Sequence, residues 1–221
     1  MKAAWTRLSK VAAVTAITIM LSGCGTDRVY YKAADMPRFQ TGSPLTGVRP
    51  KTFAFKEFRD VRDIGMLNEF AFRGFSDVTG SDASLLFKVV NTEFRLEEPV
   101  ANVVTAAIKK ELERNGHTCI GYAQQSNADF IVEGSIYNYS FNMTSLYFTK
   151  QMTGNVAVKL TVGNKSADKG VLTKCYVGEY QFETNAPTGG YGTGYEVLGL
   201  AQMAMVKEIS TDPELVEFLD K

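Results

Sequence analysis

His117 is the only histidine in the chain, so a Ser-His-Asp or Cys-His catalytic centre must be built around it or not at all. It follows a predicted helix end, where the helix dipole favours an imidazolium. No G-x-S-x-G turn and no second histidine for zinc accompany it, and a structural role is the expectation. Glu57, Asp60 and Asp63 offer oxygens to a hard cation, but their spacing matches no calcium loop. Arg59 and Arg62 compete for the same carboxylates, so local ion pairing is expected and no metal. Gly190, Gly192 and Gly194 precede a predicted helix. A dinucleotide loop needs other glycine spacings inside a βαβ unit, which leaves a flexible loop and no cofactor. Of the three cysteines, Cys119 and Cys175 stand either as a disulfide or as two buried free thiols on separate strands.

The third, Cys24, closes a segment built unlike the rest. Lys2, Arg7 and Lys10 precede an apolar run over residues 11–21. That run is too short to span a hydrocarbon core of about 30 Å as a helix, and it reads as the centre of a secretory signal peptide. It ends in Leu21-Ser22-Gly23-Cys24, which resembles the lipobox of bacterial lipoproteins. The resemblance implies cleavage between Gly23 and Cys24, with a diacylglycerol thioether on the Cys24 sulfur and an acylated first residue. Each buried CH₂ of such chains contributes about 0.8 kcal/mol, and two or more chains are needed for a lasting anchor. Gly25 stands where an aspartate would signal inner-membrane retention, so the resemblance favours the periplasmic face of the outer membrane.

Removing residues 1–23 takes away three cations and no anions, leaving 21 cations against 24 anions. The remainder is weakly acidic and shows no clustered Lys and Arg of the kind that grips nucleic acid. Residues 24–48, with Pro37, Gly42, Pro44 and Gly47 and no period of 3.6 or 2, read as the lipidated cysteine and a flexible tether. Residues 49–221 read as one periplasmic α/β domain. Strands are expected over 49–58, 117–122 and 129–141, then around 156–162 and over 171–183, the last two joined by a hairpin through 163–170. Pro99 opens a helix over 100–114, with Val100, Val103, Val104, Ala107, Ile108 and Leu112 on one face, and Asn115-Gly116 ends it. A second amphipathic helix is predicted over 195–210, with a short turn after Pro213. Residues 64–98 resist assignment. The fold class is therefore α+β, one domain with an antiparallel or mixed sheet and two amphipathic helices on one face.

By the two-residue period, Tyr137, Tyr139 and Phe141 share one strand face. An aromatic stripe of this kind is either core under a second layer or a partner surface.

In order along the chain, FAFKEFRDVR, VANVVTAAIKKELERNG, ADFIVEGSIYNYSF, GNVAVKLTV and TDPELVEFLDK resemble the YajG-type family of bacterial lipoproteins. ADFIVEGSIYNYSF also resembles part of the periplasmic domain of the curli secretion lipoprotein CsgG. The YajG-type resemblance implies an outer-membrane lipoprotein without assigned catalytic residues. The expectation is a non-enzymatic binding, scaffold or assembly-accessory protein with an envelope protein as partner. A carrier or chaperone for a lipid or glycan, with the aromatic stripe lining its groove, is the alternative. Oligomeric state is left open.

Overall fold

The computed structural model describes residues 28–31, 43–62, 71–78, 93–96, 98–145, 149–165, 170–185 and 192–220, with side chains for 43–62, 98–140, 151–165, 170–183 and 196–220. Its strands are β1 (Arg28–Tyr31), β2 (Thr52–Phe55), β3 (Arg59–Asp60), β4 (Ala71–Val78), β5 (Glu93–Leu96), β6 (Thr118–Gly121), β7 (Phe130–Ser145), β8 (Thr149–Asn164) and β9 (Val171–Asn185). Its helices are α1 (Val100–Arg114), α2 (Gly192–Thr211) and α3 (Pro213–Asp220).

Apolar residues at every second position make β7 and β8 half-buried strands. On β8, Met152, Val156, Val158, Leu160 and Val162 are buried, and Lys159 faces solvent. Strand β7 is the spine of the sheet. Along one edge it pairs antiparallel with β8, which pairs antiparallel with β9. Along its other edge it takes β2, β3 and β4 in succession, all parallel, through Phe53↔Phe130, Arg59↔Ser135 and Gly74↔Phe141. Strand β6 lies parallel outside β2; β5 joins β4 antiparallel and β1 joins β5 in parallel. Among the described residues the result is one open, mixed, nine-stranded sheet. The α+β expectation holds, with a third helix after Pro213.

Helix α1 buries Val100, Val103, Val104, Ile108 and Leu112, and Gly116 at φ 89° turns the chain out of it. Helix α2 lies on β8 and β9 and touches α1, burying Val197, Leu198, Ala201, Met205 and Ile209. Two glycines permit this approach. A Cβ on Gly178 would lie 1.9 Å from the Ala201 carbonyl oxygen, and one on Gly154 would lie 2.8 Å from that of Val197.

Two expectations change. The stretch read as tether is not featureless: Arg28–Tyr31 pairs with β5, and Pro44–Gly47 forms a 3-10 turn. That turn is held to the domain by Leu45 and Val48, both buried in the core. The aromatic stripe on β7 is broken by a β-bulge. The register steps from Ile136↔Val158 to Asn138↔Ala157, so Tyr137 is an extra residue. An inserted residue reverses which positions face inward. Phe130, Val132 and Ile136 face the helices before it and Tyr139 joins them after it, while Tyr137 stands 54% exposed. The side chain of Phe141 lies outside the described residues.

Candidate functional site

Strand β3 and the residues after it bring Arg62 under the bulge. Its guanidinium is buried: Nε donates to Asp60 Oδ1 at 2.7 Å, Nη1 donates to the Tyr139 carbonyl at 3.2 Å, and the group lies 5.9 Å from the Tyr139 ring. The Tyr139 hydroxyl donates to Gln202 Oε1 of α2 at 3.2 Å. Burial pushes that phenol well above its ordinary pKa, against the pull of Arg62. Arg62 and Asp60 thus form the local ion pair expected from the sequence; Glu57 is exposed and Asp63 lies outside the described residues.

His117 is buried between β2 and the turn at Leu45. Its Nδ1 accepts the Lys51 N–H at 3.3 Å, and its ring meets Phe53 edge-on at 5.4 Å. An accepting Nδ1 places the proton of the neutral ring on Nε2, which is buried without a hydrogen-bond partner. Burial lowers the His117 pKa, the Leu45 backbone pulls the other way, and the Lys51 charge lowers it further. A neutral ring packed on Phe53 makes His117 part of the core.

At the α2–α3 junction, Asp212 caps α3 by accepting the Glu214 N–H at 3.1 Å. It also accepts the Tyr176 hydroxyl at 2.7 Å and Lys174 Nζ at 2.8 Å, tying both helices to β9. Burial alone would raise the Asp212 carboxyl; the bonds from Lys174, Tyr176 and the Glu214 N–H outweigh it and hold the pKa below the ordinary aspartate value. Burial, then the bond to Asp212, raises the Tyr176 phenol strongly. Beside this junction Ser43 Oγ donates to the Ser210 carbonyl at 2.9 Å, fixing the point where the amino-terminal segment reaches the domain. A shallow notch of about 400 Å³ opens there, lined by Pro44, Thr211, Pro213, Val216, Glu217 and Asp220.

Cys119 on β6 and Cys175 on β9 are free thiols. With β2, β7 and β8 between them, four spacings of about 4.8 Å put them on the order of 19 Å apart, beyond the roughly 7 Å limit for a bridge. The disulfide alternative therefore fails. The other alternative needs correction as well, because Cys175 is exposed and Cys119 half-buried. Burial, then Glu113, pushes the Cys119 thiol up to about 12. Among the described residues no group of His, Cys, Asp and Glu is placed to hold a metal ion. Cys24 and Gly190 lie outside the described residues; Gly192 and Gly194 begin α2.

Sequence reasoning passed over the long edge of β9. Among the described residues β9 pairs with β8 alone, and Val171, Val177, Tyr180 and Phe182 are exposed along it. The available signal was Val171 and Val177 standing among polar residues on the outer face of the last predicted hairpin strand.

No family model matches the chain, and no curated protein matches it by sequence. Among solved structures, a Xanthomonas campestris protein of the DUF330 family aligns with a TM-score of 0.53 at 5% identity, over 82% of this chain and 92% of that one. A hypothetical protein from Chlamydia trachomatis aligns at 0.41 and 11% identity, over 76% and 98%. Lipoprotein GNA1162 from Neisseria meningitidis aligns at 0.25 and 15% identity, over 72% and 98%. At such identity the first likeness shows a shared fold alone, and the other two are too loose to argue from. No helix among the described residues is long and apolar enough to cross a membrane.

Proposed function

We propose that the protein is a lipid-anchored lipoprotein of the bacterial envelope, held by acyl chains on Cys24 at the periplasmic face of the outer membrane, where it binds or scaffolds an envelope protein without catalysing a reaction. The observation that carries this reading is Leu21-Ser22-Gly23-Cys24 after a charged, apolar leader. The likeness of pattern to YajG-type lipoproteins supports it. So does the way the described polar groups are used: Arg62, His117 and Asp212 each join elements of the fold through hydrogen bonds.

The carrier alternative loses its stated groove, because Tyr139 is in the core and Tyr137 on the opposite face. Changing Cys24 to Ala tests the anchor. Fractionated cells should then hold the variant as a soluble periplasmic form or as uncleaved precursor in the inner membrane. A variant that still partitions with the outer membrane like the parent would contradict the reading. The catalytic question is tested separately: hydrolytic turnover by the purified chain that disappears in His117→Asn would make it an enzyme.

A further inference from the structure

We propose that β9 is a self-association edge: a second copy of this chain adds its own β9 antiparallel, extending the sheet through a two-fold axis at Val177. The inference goes beyond the anchor and holds with or without it.

The backbone of β9 is ready for a neighbour. Pairing with β8 is uninterrupted from Val171↔Gly163 to Asn185↔Thr149, so N–H and C=O groups of every second residue point away from β8. The Val177 N–H is one of these, since it donates to Glu208 Oε2 at 2.7 Å. A carboxylate from α2 therefore sits where the carbonyl of an added strand would sit. Protected edges carry prolines, bulges, several lysines or a covering element. Between Val171 and Asn185 there is no proline, no bulge and one lysine, Lys174, and Glu208 guards a single donor. The side chains run against a solvent-facing role. Val171 is 66% exposed and Val177 51%, while Tyr180 and Phe182 are each 37% exposed on the helix-bearing face.

A second copy fits this edge because the strand is complementary to its own reverse. Glu179 and Glu183 lie in the second half of the strand, so antiparallel pairing sets them against the uncharged Cys175 and Val171 of the first half, whereas parallel pairing would stack each glutamate on its equivalent. With the axis at Val177, valine meets valine at the centre and Thr173 faces Gln181. On the helix-bearing face Leu172 faces Phe182, and the apolar stem of Lys174, whose ammonium is held by Asp212 and Glu214, faces the Tyr180 ring. Lys159, the neighbour of Cys175 on β8, shares its row with Glu179 of the second copy. Along the strand itself no like charges oppose one another in this register; the Glu208 carboxylates of the two copies meet at the axis and must swing off the Val177 N–H as the strands pair.

The test uses the full chain purified in detergent from whole cells, whichever fraction holds it, followed by sedimentation equilibrium. The expected result is a concentration-dependent dimer. Val177→Pro removes an outward N–H and leaves the β8 ladder intact, so it should raise the dissociation constant at least about tenfold. Glu208→Ala frees the same N–H and should lower that constant. In cells, Val177→Cys in a Cys175→Ser background should form a disulfide-linked dimer, because facing residues of this kind lie about 5.5 Å apart at Cα; Val61→Cys, on an exposed site elsewhere, should not. A chain that stays monomeric throughout, a dimer that Val177→Pro leaves unchanged, or cross-linking at Val61 and not at Val177 would each overturn the proposal. The cell-based measurement stands if the proline variant fails to fold.

Discussion

Replacing Gly178 by alanine adds one methyl group where β9 meets the backbone of α2. The new Cβ would lie 1.9 Å from the Ala201 oxygen and 2.3 Å from the Met205 nitrogen, while ordinary contact begins at 3.4 Å, so the first gap is short by 1.5 Å. Both obstacles are backbone, and no rotamer change can clear them. The helix must lift, loosening Val197, Leu198, Ala201 and Met205, which are at most 1% exposed, and dispersion contacts fall off steeply over such a gap. Overpacking a core by one methyl costs about 1–3 kcal/mol, and the upper end applies when only a whole element can move. Against a total stability of about 5–15 kcal/mol, that is a large loss. Urea unfolding followed by circular dichroism measures it as a fall in midpoint at constant slope. Gly121→Ala is the control, since its Cβ meets nothing within 4 Å, and it should change stability by no more than about 0.5 kcal/mol. If Gly178→Ala matched that control, α2 would not lie on β9 as described.

Three further outcomes are expected. His117 is neutral in the folded protein with a lowered pKa, so the stability it protects is complete above about 6.5, the unfolded value, and is lost as pH falls below it. With a single histidine in the chain, urea midpoints between pH 7.5 and 5.5 should fall for the native protein and stay flatter for His117→Asn; equal slopes would refute this. Asp212→Ala removes the α3 cap and strands the buried Tyr176 hydroxyl, at a cost of about 2–4 kcal/mol in urea unfolding. The native contribution, from a lowered carboxyl pKa, should hold at neutral pH and fade as pH drops through and below about 3.8. Maleimide labelling without reductant should modify Cys175 rapidly and Cys119 slowly, the latter because its thiol is pushed up to about 12; a chain with neither thiol reactive would contradict the free cysteines.

Elements fixed by local rules were legible in advance. Helix α1 runs from Val100 to Arg114, because Pro99, a regular apolar stripe and Asn115-Gly116 act over a few residues each. The hairpin from β8 to β9 was legible for the same reason. The bulge at Tyr137 was not: a two-residue period assigns faces only if no residue is inserted, and the insertion is defined by the partner strand β8. The docking of Leu45 was hidden too, since one apolar residue among prolines and glycines has no period, and the turn that carries it is held by Ser43 to Ser210, 167 residues further along the chain. Local ion pairing among Glu57, Arg59, Asp60, Arg62 and Asp63 was legible, but the choice of Arg62 and Asp60 as the pair, and the burial of Arg62 against the Tyr139 carbonyl, depend on strand β7, distant in sequence. The β9 edge was missed because alternation says which face a residue takes and not whether a strand has a neighbour.

The central claim concerns Cys24, and intact-mass spectrometry of the mature chain extracted from membranes tests it most directly. The account predicts a chain beginning at Cys24 that carries a diacylglyceryl group and a further acyl chain on that residue. A chain beginning at or beyond residue 24 with no fatty acyl addition would contradict it.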